Sequence, residues 1–237
     1  MIEQSSFSTA TTWSERFPTR AFSVSVADHI RASEESRSAF LVTKRIVDLL
    51  LGSVLLVFAT PIILAAMLLI WLTDRGPALF VQERVGHRCL PFRMLKLRTM
   101  QIGSERDEEK LLRRRSGSIF LKIKDDPRVT PFGYLLRWSS IDELPQLINV
   151  LRGDMSLIGP RPLLLCDLRR FPQSEQLRRF AMKPGLTGLW QVSGRNRLSD
   201  AERMKLDLEY VDDWGPWRDT TILARTIPAV LSGRGAG

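Results

Sequence analysis

The pattern of hydrophobic and polar positions divides the chain into three parts. Residues 1–38 are rich in Ser, Thr and isolated charges and have no sustained period of 3.6 or 2, as is typical of a mobile segment. An uninterrupted apolar run follows at 49–72, and after it polar and apolar positions mix between recurrent turn signals. The pattern predicts a flexible polar tail over 1–43, a membrane-inserted helix over 44–74 and a folded domain over 75–237.

The apolar run predicts a helix with a break at its centre. A helix of this length would extend roughly 36 Å, which is enough to cross the hydrocarbon of a bilayer. Pro61 at its middle lacks the N–H that would pair with the carbonyl of Val57, and the hydroxyl of Thr60 can donate to that carbonyl instead. Thr60 and Pro61 are therefore predicted to mark a helix break.

Flanking charge favours a helix that enters and leaves the membrane on one face. Each arm beside Pro61 would be about 18 Å long, roughly half the hydrocarbon thickness. Lys44 and Arg45 precede the run and Arg75 follows it, so the positive-inside preference draws both ends toward the cytoplasm. We expect a re-entrant helix, with a spanning helix and the buried core helix of a soluble protein as alternatives. No secretory signal is expected, because charges interrupt residues 1–16.

Beyond the apolar run, the pattern predicts a helix-rich, mixed α/β fold in a single domain that carries the Pro-broken re-entrant helix at its N-terminal side. Strands are predicted at 80–81 and 92–97, and helices at 105–115, 144–151, 164–170 and 201–214.

Charge and composition limit the partners. The formal net charge is +9, which suggests nucleic acid, phosphorylated metabolites or an anionic membrane surface. Residues 1–43 contain four Arg and five acidic residues, so the positive charge belongs to the folded part. Acidic residues mixed through that part argue against a nucleic acid partner. Two Cys and two His are too few for a disulfide framework or a structural zinc site.

Missing motifs exclude several common enzyme classes. The sequence contains no phosphate-binding loop of the form GxxxxGK[ST], no GxGxxG turn after a strand and no GxSxG nucleophile turn. An enzyme with this sequence would therefore have to rely on carboxylates and cations.

Asp142 and Glu143 are the candidate catalytic acids. They stand just before an apolar helical period, and Pro145 is tolerated only in the first turn of that helix. One interpretation is structural, with Asp142 as the N-cap or with Ser140 and Glu143 as a capping box. The other is functional, because a helix N-terminus would keep Asp142 ionised as a nucleophile toward phosphorus, and the adjacent acids suit Mg²⁺.

Cations near this segment are candidates for phosphate binding, since phosphoryl transfer depends on positioning and charge neutralisation. They are Lys96, Arg98, Arg137 and Arg161. Lys96 and Arg98 would share one strand face, and the prolines flanking Arg161 would hold its guanidinium rigidly. A wet strand face and a solvated Arg are the structural alternatives.

Two further segments give weaker signals. The glycine-rich stretch 185–195 contains Gln191 and Arg195, which could contact a nucleotide or a sugar, although turns are equally rich in glycine. Asp207 lies in a charged helical stretch, where a solvated helix face is the stronger interpretation.

Seven motifs occur in a characteristic order: KRIVD at 44–48, GPALFVQERVG at 76–86, FRMLKLRTM at 92–100, DPRVTPFG at 126–133, SIDELPQL at 140–147, GDMSLIGPRP at 153–162 and KPGLTGLWQV at 183–192. Over about residues 44–227 the chain resembles the bacterial sugar transferases, the monotopic polyprenyl-phosphate phosphoglycosyltransferases. With only a polar tail before the apolar run, it resembles their short form.

The resemblance implies an enzyme of the bacterial inner membrane with its catalytic domain on the cytoplasmic face. Such an enzyme transfers a sugar 1-phosphate from a UDP-sugar to undecaprenyl phosphate through a covalent intermediate on an Asp. It releases UMP and begins exopolysaccharide, capsule or glycan synthesis. The resemblance specifies neither the sugar nor the oligomeric state.

Residue roles follow from the matched motifs. Asp142 would be the nucleophile, and Glu143 would assist in metal binding or proton transfer. Asp207 would join these two acids at Mg²⁺, or at Mn²⁺ in its place. Lys96, Arg137 and Arg161 would hold phosphate. The family's membrane helix breaks at Ser-Pro, so Thr60 before Pro61 is a hydroxyl-for-hydroxyl substitution.

A non-catalytic membrane scaffold that recruits glycan enzymes through its tail and basic surface is the alternative function. Deletion of residues 1–38 separates the two hypotheses, because an enzyme would keep its activity in vitro whereas a scaffold would lose partner binding.

Overall fold

Helix α1 forms the N-terminal part of the described structure. The computed structural model describes residues 38–104, 126–164 and 174–231. Helix α1 spans Ser38–Asp74 and contains Pro61. It begins before the predicted start at residue 44, so the last residues of the predicted tail are helical, and the rest of the tail lies outside the described residues.

The helix continues through Pro61, so the predicted break at Thr60 and Pro61 does not interrupt the helix in the structure. The hydroxyl of Thr60 donates to the carbonyl of Leu56 at 2.7 Å, which corrects the predicted acceptor, Val57. A hydroxyl that bonds the carbonyl four residues earlier is a common arrangement in helices and often accompanies a bend.

Both ends of α1 bind the same domain. Near its start, Lys44 Nζ lies 2.6 Å from Asp219 Oδ2, and the side chain of Asp48 is buried. At its end, Asp74 Oδ2 lies 3.4 Å from Arg98 Nη2. The start and the end of the apolar segment are therefore attached to one body.

The middle of α1 is largely uncovered by protein. Its exposed side chains include Val54, Val57, Phe58, Ile62, Leu64, Leu68, Trp71 and Leu72. Within the described ranges it is the one helix that is long and apolar enough to cross a membrane by length and composition. A contiguous apolar surface of this kind marks a membrane or partner contact, because soluble monomers rarely expose one.

Two small sheets lie beside this helix. Strands β1 (Leu79–Val85) and β2 (Pro91–Leu97) form an antiparallel hairpin, which confirms both predicted strands. Strand β3 (Ser156–Ile158) pairs in parallel with β4 (Gly185–Thr187). The second pair was not predicted, because three residues are too few to establish a period.

Five further helices complete the described fold: α2 (Pro131–Trp138), α3 (Gln146–Arg152), α4 (Leu189–Ser193), α5 (Asp200–Asp212) and α6 (Pro216–Leu231). Short 3-10 turns occupy Ile141–Glu143, Ser174–Ala181 and Arg195–Arg197. Helices α3 and α5 confirm two predictions. The predicted helix at 105–115 lies outside the described residues, as does that at 164–170 except for Leu164, which is not helical.

One apolar core joins these elements. Val150 of α3, Leu157 of β3 and Tyr210 of α5 are buried in the same cluster as Ala66 and Ile70 of α1. The Tyr210 hydroxyl, which can donate and accept, lies 3.1 Å from the carbonyl oxygen of Ile158 and 2.8 Å from Asp219 Oδ1. The helix-rich, mixed α/β fold is therefore confirmed.

Candidate active site

A cavity of about 780 Å³ opens between β2, α2, α4 and the turn at 141–143. Its described lining includes eight cationic side chains and three acidic ones. The predicted residues Lys96, Arg98, Arg137, Asp142, Glu143, Arg161, Gln191 and Arg195 all line it. The fold therefore brings together eight predicted site residues that are up to 99 positions apart in the chain. An excess of cations in a partly desolvated cavity favours anionic ligands.

Asp142 lies inside a 3-10 turn and does not cap a helix. The turn spans Ile141–Glu143, and α3 begins only at Gln146, with Pro145 as its N-cap. Ser140 adopts a left-handed conformation with φ of 58° and makes no side-chain capping bond. Both structural interpretations of this segment, the N-cap and the capping box, are therefore wrong.

The Asp142 carboxylate is buried at the cavity wall, with 7% of the residue exposed. It has no hydrogen-bond or ion-pair partner among the described residues. Burial raises the pKa of Asp142 to about 6, against the lowering effect of Lys96 and with a further rise from Glu143. Such a carboxylate is ionised at neutral pH and keeps its lone pairs available, as a nucleophile requires.

Glu143 differs from Asp142 in having two cationic partners. Its Oε1 accepts from Lys96 Nζ at 3.0 Å and from Arg161 Nη2 at 2.9 Å. Burial alone would raise the pKa of Glu143, but Arg161 and Lys96 together hold it well below its usual range. Glu143 is therefore a fixed anion that positions two cations beside Asp142.

Two predicted arginines, Arg137 and Arg98, also line the cavity. Arg137 Nε donates to Thr99 Oγ1 at 2.9 Å, and its terminal nitrogens have no partner in the described part of the chain. Arg98 follows the end of β2, and its Nη2 pairs with Asp74, so part of its charge is already neutralised. Arg137 is the better placed of the two to bind phosphate.

The glycine-rich segment forms a further part of the cavity wall. Gln191 Nε2 donates to the carbonyl of Leu186 at 3.2 Å, and Arg195 Nε donates to the carbonyl of Gln191 at 3.2 Å. Gly188 is required there, because a Cβ at this position would collide with the backbone carbonyl oxygen of Gly159. This wall is therefore built by hydrogen bonds that fix both predicted residues.

Three cavity cations were missed in the sequence, and the first is Arg84 on β1. Arg128 binds Asp126 through several hydrogen bonds, and its signal was the Asp-Pro-Arg turn. Arg203 on α5 is buried, and its guanidinium carbon lies 5.2 Å from the ring centre of Trp190. Arg203 could have been found from its position four residues before Asp207, because residues at this spacing lie on the same face of a helix.

Asp207 is buried, with 1% of the residue exposed. The prediction that it lies on a solvated helix face is therefore wrong. Its Oδ2 accepts from Arg179 Nη2, and it does not line the cavity that contains Asp142 and Glu143. Burial raises the pKa of Asp207 to about 6, opposed by Arg179.

Asp142 and Glu143 are the predicted metal ligands that line the cavity. Among the described residues, no group of three His, Cys, Asp or Glu side chains is arranged to hold a metal ion, and Asp207 does not join Asp142 and Glu143. The remaining pair of carboxylates still fits Mg²⁺, which is commonly held by one or two carboxylates together with water and substrate phosphate.

Paired carboxylates in a cationic cavity, next to a helix with an uncovered apolar middle, favour a membrane-associated protein with anionic ligands. Comparison with known proteins identifies the class more closely. The sequence profile of the family described as bacterial sugar transferase matches residues 39–233. The chain belongs to this family.

Curated relatives agree with the family match. The chain is 41% identical over 197 residues to galactosyl transferase CpsE of Streptococcus agalactiae serotype III (strain NEM316), covering 82% of this chain and 42% of that protein. It is 40% identical over 198 residues to exopolysaccharide production protein ExoY of Rhizobium meliloti (strain 1021), covering 81% and 87%.

A third relative, the UDP-glucose:undecaprenyl-phosphate glucose-1-phosphate transferase of Caulobacter vibrioides (strain ATCC 19089 / CIP 103742 / CB 15), is 40% identical over 203 residues, covering 83% of this chain and 72% of that protein. The chain thus spans about two-fifths of CpsE and most of ExoY.

Proposed function

We propose that the chain transfers a sugar 1-phosphate from a UDP-sugar to undecaprenyl phosphate through a covalent intermediate on Asp142. The observation that carries this proposal is the unpartnered carboxylate of Asp142 in a cavity lined by cations. Family membership and the name of the Caulobacter relative support the substrate classes.

In the first step, a carboxylate oxygen of Asp142 attacks the phosphorus that bears the sugar. A bond forms between this oxygen and phosphorus, and the bond from phosphorus to the bridging oxygen of the diphosphate breaks. UMP leaves with that oxygen. Arg137 and the two cations on Glu143 surround the reacting group and neutralise its charge.

In the second step, a phosphate oxygen of undecaprenyl phosphate attacks the same phosphorus. The bond to Asp142 breaks, so the carboxylate is regenerated and a polyprenyl-diphosphate sugar is formed. The attacking phosphate is already ionised and needs no general base. Glu143, with its lowered pKa, therefore acts by positioning Lys96 and Arg161.

Mg²⁺ would be held by Asp142 and Glu143 together with substrate phosphate, and it would supply charge neutralisation. Mn²⁺ has the same oxygen-ligand chemistry.

The proposed site of action is the cytoplasmic face of the bacterial inner membrane, with α1 re-entrant. Lys44 and Asp74 lie at opposite ends of the apolar segment, yet each binds the catalytic domain. A spanning helix would place one of these ends on the far side of the bilayer. Leu55 of α1 and Leu223 of α6 line the cavity, which gives a lipid acceptor an apolar approach.

The decisive experiment measures UMP release by detergent-solubilised protein with Mg²⁺, undecaprenyl phosphate and single UDP-sugars. UDP-galactose and UDP-glucose come first, because the names of two relatives contain these sugars. Asp142→Asn is compared with Glu83→Gln, a change on the exposed face of β1. We expect UMP from one donor, at wild-type rates in Glu83→Gln and without turnover in Asp142→Asn.

Turnover by Asp142→Asn at the wild-type rate would contradict the covalent mechanism. Absence of UMP with every donor, in a protein that still binds partners through residues 1–38, would favour the non-catalytic scaffold.

A further inference from the structure

A buried chain of contacts connects α5 to the candidate nucleophile. Arg179 Nη2 donates to Asp207 Oδ2 and also to the carbonyl of Arg161 at 2.7 Å. The guanidinium of Arg161 in turn binds Glu143 at 2.9 Å. Glu143 is the chain neighbour of Asp142. Each contact fixes the group that makes the next one.

The segment that carries Arg161 is held at three points. Gly185 N–H donates to the carbonyl of Pro160 at 2.9 Å, and Val85 N–H donates to the carbonyl of Leu163 at 2.9 Å. Between them, the carbonyl of Arg161 has Arg179 as its partner. Loss of Arg179 would leave this carbonyl unpaired and would free the part of the loop that sets the direction of the Arg161 side chain.

Asp207 and Arg179 are themselves too deeply buried to bind substrate. Each has 1% of its side chain exposed, and neither lines the cavity. Arg179 Nε and Nη1 and Asp207 Oδ1 have no hydrogen-bond partner in the described ranges. A buried pair with unpaired polar atoms is a poor source of stability, because desolvation offsets the attraction between the charges.

We propose that Asp207 and Arg179 are positioning residues that hold the main chain at Arg161 and, through the Arg161 guanidinium, fix Glu143 beside the nucleophile Asp142. This inference rests on the proposed function for its catalytic readout. It assigns Asp207 to positioning in place of metal binding.

A double-mutant cycle tests this arrangement. Asp207→Asn and Arg161→Ala are made singly and together, and each protein is assayed for UMP release and, by calorimetry, for affinity toward UMP. A residue that acts through Arg161 loses its effect when the Arg161 side chain is absent. We expect Asp207→Asn to lower kcat about tenfold in the wild-type background and less than about twofold in the Arg161→Ala background.

The chain offers a matched control. Arg178 and Asp212 join the same two elements, five residues beyond Asp207 on α5, with Nη1 to Oδ1 at 3.0 Å, and both side chains are more than one-third exposed. Asp212→Asn should therefore leave kcat and UMP affinity at wild-type values. Because Asp207→Asn could fail to fold, Arg179→Lys is the second variant. A lysine keeps the positive charge, but its single Nζ can make only part of the hydrogen bonds that the Arg179 guanidinium makes to Asp207 and to the carbonyl of Arg161.

A Mg²⁺ titration separates positioning from metal binding. Because Glu143 is itself a proposed metal ligand, we expect any rise in the Mg²⁺ concentration for half-maximal rate from Asp207→Asn to disappear in the Arg161→Ala background, whereas loss of a metal ligand would raise it in both. Equal losses of kcat from Asp207→Asn in both backgrounds, an equal rise of the Mg²⁺ requirement in both, or an equal loss in Asp212→Asn would overturn the proposal. If no donor supports turnover, the UMP affinities of the four proteins still measure the coupling between Asp207 and Arg161. Failure of the proposed reaction therefore remains distinguishable from failure of this inference.

Discussion

Lys96 and Glu143 form an ion pair of 3.0 Å that joins the end of β2 to the 3-10 turn carrying Asp142. The pair fixes Glu143 as an anion, so that titration near neutral pH falls on Asp142. Two adjacent acids thereby acquire different tasks, because one is bound by two cations and the other is buried without a partner.

The first prediction concerns the pH dependence of turnover. The pKa of Asp142 is raised to about 6 by burial, and only the ionised carboxylate attacks phosphorus. The rate of UMP release should therefore reach half of its plateau near pH 6 and level off about one pH unit above that value. Steady-state rates between pH 5 and pH 8 check this, and a rate that increases on acidification through this interval would contradict Asp142 as the nucleophile.

The second prediction concerns the stability of Asp142→Asn. The folded-state pKa lies above the ordinary value, so ionisation costs the folded protein more than the unfolded chain, and stability falls as pH rises through 6. An Asn avoids this cost at pH 7. The inactive variant should be more stable than wild type by about 1 to 3 kcal/mol at pH 7, and thermal unfolding in detergent should show the gap closing at pH 4.

The helices and strands of the fold were predictable from sequence to different degrees. The long apolar helix follows from an uninterrupted apolar run, and the β1–β2 hairpin and α5 lie where the sequence pattern predicted two strands and a helix. Helix α2 had an unused signal, because Thr130 caps it and Pro131 occupies its first turn.

The prediction that Asp207 lies on a solvated helix face was wrong for a different reason. Its neighbours in the chain are charged, yet the helix face it shares with Tyr210 and Val211 is buried. An ion pair with Arg179, 28 positions away, makes that burial tolerable. Contacts between distant segments of this kind leave no local pattern, which is why the acids at 142 and 143 and the cations Lys96 and Arg161 were found and Arg179 was not.

The third prediction concerns Lys96→Met. Lys96 lowers the pKa of Asp142, so its removal should disfavour the ionised nucleophile. The rising limb of the pH profile for UMP release should move to higher pH by about one unit. Lys205→Met, which removes a cation from the exposed face of α5, is the control and should leave the limb in place. An unchanged limb in Lys96→Met would show that the ion pair does not tune Asp142.

The fourth prediction concerns the attachment of α1 to the domain. Asp48 Oδ1 accepts from Ser156 Oγ at 3.0 Å and from Leu157 N–H at 2.9 Å. Asp48→Ala leaves two buried donors unpaired, at a cost of about 2 kcal/mol, or roughly 5 °C in Tm. Asp48→Asn keeps an oxygen at the accepting position and should lose much less. Equal losses in the two variants, measured by thermal unfolding in detergent, would assign the effect to charge.

The fifth prediction concerns membrane topology. Ala39 lies before the apolar segment and Ile102 after it, and both are exposed. Each is replaced by Cys in a variant with Cys89 and Cys166 changed to Ser. Because Lys44 and Asp74 bind one domain, both positions should react with a membrane-impermeant maleimide from the same side of sealed vesicles, and detergent should not add a second population. Labelling from opposite sides would establish a spanning helix, and the contacts at one end of α1 would then have to be absent in the membrane.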